Sequence, residues 1–328
     1  MKASDNPGEG QGIVGALRSR AKGGDTVSFQ DFVDVALYDP VFGYYRRAGA
    51  RVGRSPDSDF FTSSSSRIFG HLVAGACAKL LAPLETAAVD FIEIGAEPGG
   101  GVLRDQAHPF RSAREVRLGD ALEIRGQAVV FSNELFDAQP FRRFRYRGGA
   151  WRELGVCFAS GQLREVEIGA ADPGQGFPAS AEDGYTIDAS LAATALASSI
   201  AAQPWKGLFL AFDYGKSWEE LAHSLPAGTA RTYKGHAMGS DLLASPGELD
   251  LTCHVCWDWI SQALGSRGFG TPTLESQEAF FVHHGAAAIA RLAEEEAGRL
   301  SRDKLSLMQL IHPGNMGQKF QAMWALRT

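Results

Sequence analysis

Val129-Val130-Phe131 is a short apolar, β-branched run that passes directly into Ser132-Asn133-Glu134-Leu135-Phe136-Asp137-Ala138-Gln139-Pro140. Such a run, bounded by polar residues, predicts a strand buried on both faces of a parallel sheet. Val89 to Gly95 and Gly207 to Gly215 share this character, and Glu115 to Asp120 reads as a further strand-like run. From Phe141 to Ile168 the period shortens to two. Phe144, Tyr146, Trp151, Leu154, Val156 and Phe158 alternate loosely with polar residues, broken at Gly148-Gly149 and Ser160-Gly161. This predicts an antiparallel meander inserted on the parallel sheet.

Elsewhere apolar residues recur at three- and four-residue intervals, the helical period. Ser28 to Tyr38 is one such stretch, with Ser28 and Asp31 resembling a capping box and Asp39-Pro40 stopping it. Others are Arg67 to Leu81, Ser190 to Ala202, Asp258 to Leu264 and the amphipathic Ala286 to Leu300; Gly12 to Ala21 is a shorter one. Phe320 to Leu326 is the last strand candidate. Strands alternating with helices predict an α/β fold, a Rossmann-like sheet. We expect residues 1–83 as an N-terminal helical cap, 84–140 with 204–328 as the core, and 141–203 as the antiparallel insertion and its helix.

Composition narrows the class. The chain has 328 residues, 45% of them hydrophobic and 21% charged, as in ordinary globular proteins. A net charge of −6 argues against a nucleic-acid footprint over the whole surface. No apolar run approaches the ~18 residues of a membrane span, and no apolar signal core is evident near Met1, so a cytoplasmic protein is expected. Of the cysteines Cys77, Cys157, Cys253 and Cys256, only Cys253-His254-Val255-Cys256 has metal-like spacing. A structural zinc needs a second ligand pair, so no metal is expected and reduced thiols are.

The chemistry gathers where strands end. In open α/β sheets ligands sit outside the carboxyl ends of the strands, which places Asn133, Glu134 and Asp137 there. An equally simple reading has Asn133 or Asp137 merely capping the next segment. Glu93-Ile94-Gly95 leads into Ala96-Glu97-Pro98-Gly99-Gly100-Gly101, a glycine-rich turn of the kind that cradles nucleotide and adenosyl cofactors, or one that simply needs positive φ. The pattern GxxxxGK[ST] is absent, which counts against a nucleoside triphosphatase.

Taken in order, these pieces resemble the MidA family of S-adenosylmethionine-dependent methyltransferases. The matching residues are Ala36-Leu37-Tyr38-Asp39-Pro40 with Gly43-Tyr44-Tyr45, Gly53-Arg54 with Asp59-Phe60-Phe61-Thr62-Ser63, Phe69-Gly70, and Glu93-Ile94-Gly95. Then come Asn133 to Pro140, Asp213-Tyr214-Gly215, Tyr233-Lys234-Gly235-His236, Pro246 to Val255 and Met316-Gly317-Gln318-Lys319-Phe320. These are bacterial and mitochondrial proteins, and the mitochondrial member methylates an arginine on a respiratory complex I subunit. The resemblance implies a class I methyltransferase sheet, S-adenosyl-L-methionine as cofactor and a protein substrate methylated on arginine, with no nucleic-acid partner. A homodimer is compatible with it. Glu134 and Asp137 become the catalytic candidates, since paired carboxylates clamp a guanidinium fork. Glu93, Gly95, Gly99, Gly100, Asp120 and Asn133 become cofactor candidates, with Tyr214 and His236 on the substrate side. Asp250 and His254 read equally as staples of their loop.

Three departures stand out. Glu97 occupies the middle glycine position of the family's turn, and Ser63 to Ser66 replace a Pro-Glu. Only about thirty residues separate Gly101 from Asn133, so the next strand, whose terminal acid holds the cofactor ribose, is expected to be deleted. The alternative function is therefore a catalytically silent relative that keeps a binding or assembly role.

Overall fold

A computed structural model describes residues 12–46, 67–97, 99–170, 176–234, 237–295, 301–312, 314 and 317–328. The chain forms two compact units. One comprises Ala50–Phe136, Thr194–Gly215 and Trp257–Thr328; the other comprises Met1–Gly49, Asp137–Ala193 and Lys216–Cys256.

The first unit is built on a six-stranded sheet in the order Thr273–Ser276, Gln321–Arg327, Trp205–Asp213, Gly126–Asn133, Asp90–Ile94, Ser112–Val116. The last four run parallel, and Gln321–Arg327 lies antiparallel to both of its neighbours. The continuous apolar runs become the inner strands because both of their faces are covered: Val129, Phe131, Leu208, Leu210 and Phe212 are fully buried. They share a core with Phe69, Leu72 and Val73 of the helix Arg67–Leu80, Phe280 and Phe281 of Gln277–His284, and Leu310 of Arg302–Ile311. The helix expected over Arg67 to Leu81 is thus a wall of the parallel-sheet unit.

The second unit holds the expected antiparallel insertion. Arg142–Arg147 and Ala150–Cys157 form a hairpin across Gly148 and Gly149, both at positive φ. Arg164–Ala170 and Thr26–Ser28 pair with Ala150–Cys157, and Thr186–Ala189 pairs with Arg142–Arg147. Helix Phe29–Tyr38 starts as expected at Ser28, whose Oγ accepts from the Asp31 amide at 3.0 Å. A small sheet of Ala237–Gly239, Arg231–Lys234 and Asp250–Thr252 completes the unit.

Two expectations are corrected. The strand read at Glu115 to Asp120 is Ser112–Val116 instead, because Gly119 takes φ 96° and the Asp120 carboxylate accepts the Arg117 amide at 2.8 Å, folding 117–120 into a turn. Nor is the strand beside the first one deleted. Ser112–Val116 pairs with all five residues of Asp90–Ile94. What is abbreviated is the connection, since residues 101–111 carry turns where a crossover helix would lie.

Candidate functional site

The parallel-sheet unit brings Asn133, Glu134 and Asp213 together at the carboxyl end of its central strands. Strand Gly126–Asn133 ends at Asn133, and the next residue, Glu134, takes φ 50°, a left-handed value that a non-glycine residue adopts at a cost of ~1–2 kcal/mol. Its amide still donates to the Phe212 carbonyl at 2.9 Å, and the Asn133 Nδ2 donates to Glu134 Oε1 at 2.9 Å. The loop is held in this shape by Asp213, which is fully buried. One Asp213 oxygen accepts from the Phe136 amide at 2.8 Å and the other from the Tyr214 amide at 2.9 Å. Asp213 was legible only as an acid closing a buried run; nothing in the sequence said that it faces back onto the 134–136 turn.

Beside this loop lies the glycine-rich turn. Gly95 has φ 81°, and a Cβ there would stand 2.8 Å from Leu135, so glycine lets the two loops approach. Two carboxylates then gather the turn: Val102 donates to Glu93 Oε2 at 2.6 Å and Gly101 to Glu115 Oε1 at 2.7 Å. A Cβ on Gly101 would lie 2.3 Å from Glu93, which is why glycine stands there. Burial lifts the Glu93 carboxyl to about 7, with the charges of Glu115 and Glu97 adding to the effect. Gly99 has no neighbour within 4 Å of its Cβ position, and Gly100 takes φ 118°. A cavity of about 380 Å³ opens beside the turn, lined by Phe91, Glu93, Leu103, His108, Ala113 and Glu115. Glu115 passed unnoticed in the sequence because only the strand pairing brings it next to Glu93. Asp120 lies in the exposed turn beyond, its carboxylate engaged with the Arg117 amide. Tyr214 packs on Phe320, ring centres 4.1 Å apart.

In the other unit Asp137 is buried at 4% exposure, and its carbonyl accepts from the Cys253 amide at 3.0 Å. Asp250 is a staple: it accepts from the Tyr45 hydroxyl at 3.1 Å and its neighbour's amide at 3.0 Å. The His254 amide donates to Thr229 Oγ1 at 3.1 Å, and burial lowers its imidazole pKa to about 4. Cys77, Cys253 and Cys256 are buried, and Cys157 is half-buried. His236 lies outside the described residues, as do Gly53-Arg54, Asp59 to Ser66 and Pro98.

The strand ends fit an adenosyl amino-acid cofactor by one direct test. Asn133 Oδ1 is buried and takes no hydrogen bond from the described residues, so it is an acceptor suited to an amino group on a ligand. No curated protein matches the chain. A crystal structure from Burkholderia thailandensis, described as a "likely methyl transferase" bound to S-adenosyl-homocysteine, is 24% identical over 100% of this chain and 95% of its own, with a TM-score of 0.83. A native structure of an uncharacterized protein from the same organism is 23% identical, covering 100% and 94%, with a TM-score of 0.78. These likenesses give the fold. Residues 107–272, about half of the sequence, match a family model described as "Putative S-adenosyl-L-methionine-dependent methyltransferase". With S-adenosyl-L-methionine as its cofactor, as the MidA resemblance implied, the chain belongs to this methyltransferase family.

Proposed function

We propose that this methyltransferase acts on a protein and that the nucleophile is an arginine guanidinium. The observation that carries the reading is Glu134, held in a left-handed conformation with its carboxylate on the Asn133 amide. The buried carboxylate of Asp137 follows three residues later. Two carboxylates so close in sequence suit a planar, cationic fork, which a single acid would hold in one direction only.

S-adenosyl-L-methionine, when bound, supplies an electrophilic methyl group. Glu93, Gly95, Gly99, Gly100 and Asn133 are the residues that would hold it. For the ribose hydroxyls Glu115 is the better candidate than Asp120, because its carboxylate lies on the glycine-rich turn whereas that of Asp120 caps its own loop. Glu134 and Asp137 are the acids we assign to the guanidinium, with Tyr214 and His236 as further substrate-side candidates, and a carboxylate takes the proton that the nucleophilic nitrogen loses on methylation. The absence of a disulfide among the four cysteines and the bacterial origin of the similar structures favour a bacterial cytoplasmic setting. A homodimer is the assembly this reading expects, to be checked by light scattering.

The test is transfer of a labelled methyl group to bacterial proteins, with the modified residue located by peptide mass spectrometry. Methylarginine is expected, and Asp137→Asn abolishes transfer while calorimetry still records cofactor binding. Transfer to another residue type overturns the arginine reading, and unchanged turnover in the variant removes Asp137 from the mechanism.

A further inference from the structure

Far from the glycine-rich turn, at the other edge of the parallel sheet, strand Thr273–Ser276 and the helix that follows it bring a carboxylate and two imidazoles together. Glu275 Oε1 lies 2.5 Å from His283 Nδ1, and Glu275 Oε2 lies 3.0 Å from His284 Nε2. One ligand atom from each of the three residues falls within 4.8 Å of the others. Successive helix residues point about 100° apart, so adjacent histidines converge only if they reach by different lengths. They do so here: His283 presents its near nitrogen and His284 its far one. The surroundings orient the group further. Trp324 Nε1 donates to Glu275 Oε2 at 2.9 Å, and the His284 ring is wedged between Trp324 and Phe280 at centroid distances of 5.4 and 5.1 Å.

We propose that Glu275, His283 and His284 form a binding site for a divalent transition metal, with Zn²⁺ as the ion it suits best. Two imidazoles and one carboxylate are a donor set for a borderline metal, and they leave a fourth position for water. Tetrahedral Zn²⁺ holds its ligand atoms about 3.3 Å apart, so the 2.5 and 3.0 Å contacts of Glu275 have to widen by less than about 1 Å while the two imidazole nitrogens, within 4.8 Å of each other, adjust to the same spacing. His283, with a side chain 60% exposed, supplies the freedom to do so and the path of entry, while Glu275 and His284 are 13% and 16% exposed and already set. Trp324 acts as an outer-shell donor that fixes the carboxylate. The Lys79 ammonium donates to the His283 carbonyl at 2.5 Å. Bound metal would fasten the last turn of Gln277–His284 to the edge strand and, through Trp324, to Gln321–Arg327. The site is independent of the methyl-transfer reading.

The test is titration of the full-length, metal-free protein with ZnCl₂ by calorimetry, paired with Co²⁺ absorption spectroscopy. One equivalent of Zn²⁺ is expected to bind, and Co²⁺ should show ligand-field bands without a thiolate charge-transfer band. His284→Ala and His283→Ala should remove binding, and Trp324→Phe should weaken it by about tenfold or more. The double variant Cys253→Ser, Cys256→Ser should leave it unchanged. Absence of Zn²⁺ binding, binding that survives both histidine variants, or a thiolate band on Co²⁺ overturns the proposal. Far-UV circular dichroism and the thermal midpoint of the same histidine variants check that they remain folded.

Discussion

Glu134 carries a backbone conformation that glycine would adopt freely, and Glu93 is a carboxyl buried at 6% exposure. Both are unfavourable for folding, which makes them visible to measurement. Glu134→Gly should stabilise the chain by ~0.5–1 kcal/mol, the inverse of placing a side chain at positive φ, while methyl transfer is lost. Chemical denaturation alongside a transfer assay checks this, and a destabilised variant would show that the Glu134 carboxylate is itself a structural anchor. For Glu93, burial raises the carboxyl from 4.5 to about 7. Between these values the folded chain retains a proton that the unfolded chain has released, so stability falls as pH rises through that window and is greatest below it. Glu93→Gln keeps an acceptor for the Val102 amide and removes the charge. It should gain on the order of 3 kcal/mol over the parent at pH 8 and close to nothing at pH 4, read from urea midpoints at the two pH values.

At the level of elements, single acids tie together segments far apart in sequence. Asp188 is buried at 1% exposure; it pairs with Arg143 of the neighbouring strand and accepts the Thr229 and Ala230 amides at 2.7 and 2.8 Å. Arg143 also meets Glu165 at 2.8 Å, and these two acids raise its pKa against the opposing effect of burial. Asp188→Ala leaves a buried cation and two buried amides without that partner, and should destabilise the chain by about 3–5 kcal/mol in denaturant titrations. Strands with strong apolar runs, and helix Phe29–Tyr38 with its buried apolar face, were legible because local pattern and burial agree. Helices Trp218–His223, Gln277–His284 and Arg302–Ile311 were not. The first is too short to show a period, and in the second buried Phe280 and Phe281 stand side by side, with Gln277 buried to hold the Leu310 carbonyl. Ser112–Val116 misled for a related reason: as an edge strand it buries only Val116, so its sequence carries no apolar run.

On the scale of the whole molecule, family and fold were readable from an ordered set of short motifs, whereas the site was readable only in part. Asn133, Glu134 and Gly95 announced themselves as a polar cluster and a glycine at strand ends. Asp213 was visible as an acid at a strand end and in a matching motif but without its role, and Glu115 was not visible as a site residue, since both roles depend on which strand lies next to which. Cofactor binding should raise the thermal midpoint in step with ligand concentration, by ~2.7 kcal/mol of stability at one hundred times Kd, and calorimetry with S-adenosylhomocysteine supplies that Kd. No such shift would favour the silent-relative reading. The abbreviated connection between Asp90–Ile94 and Ser112–Val116 has a kinetic corollary. With turns in place of a crossover helix, Ser112–Val116 has a partner strand on one side only among the described residues, and three of its five residues are exposed. Its amides should therefore exchange with deuterium through local opening, well before those of Val129 to Phe131, which wait for the sheet itself to come apart.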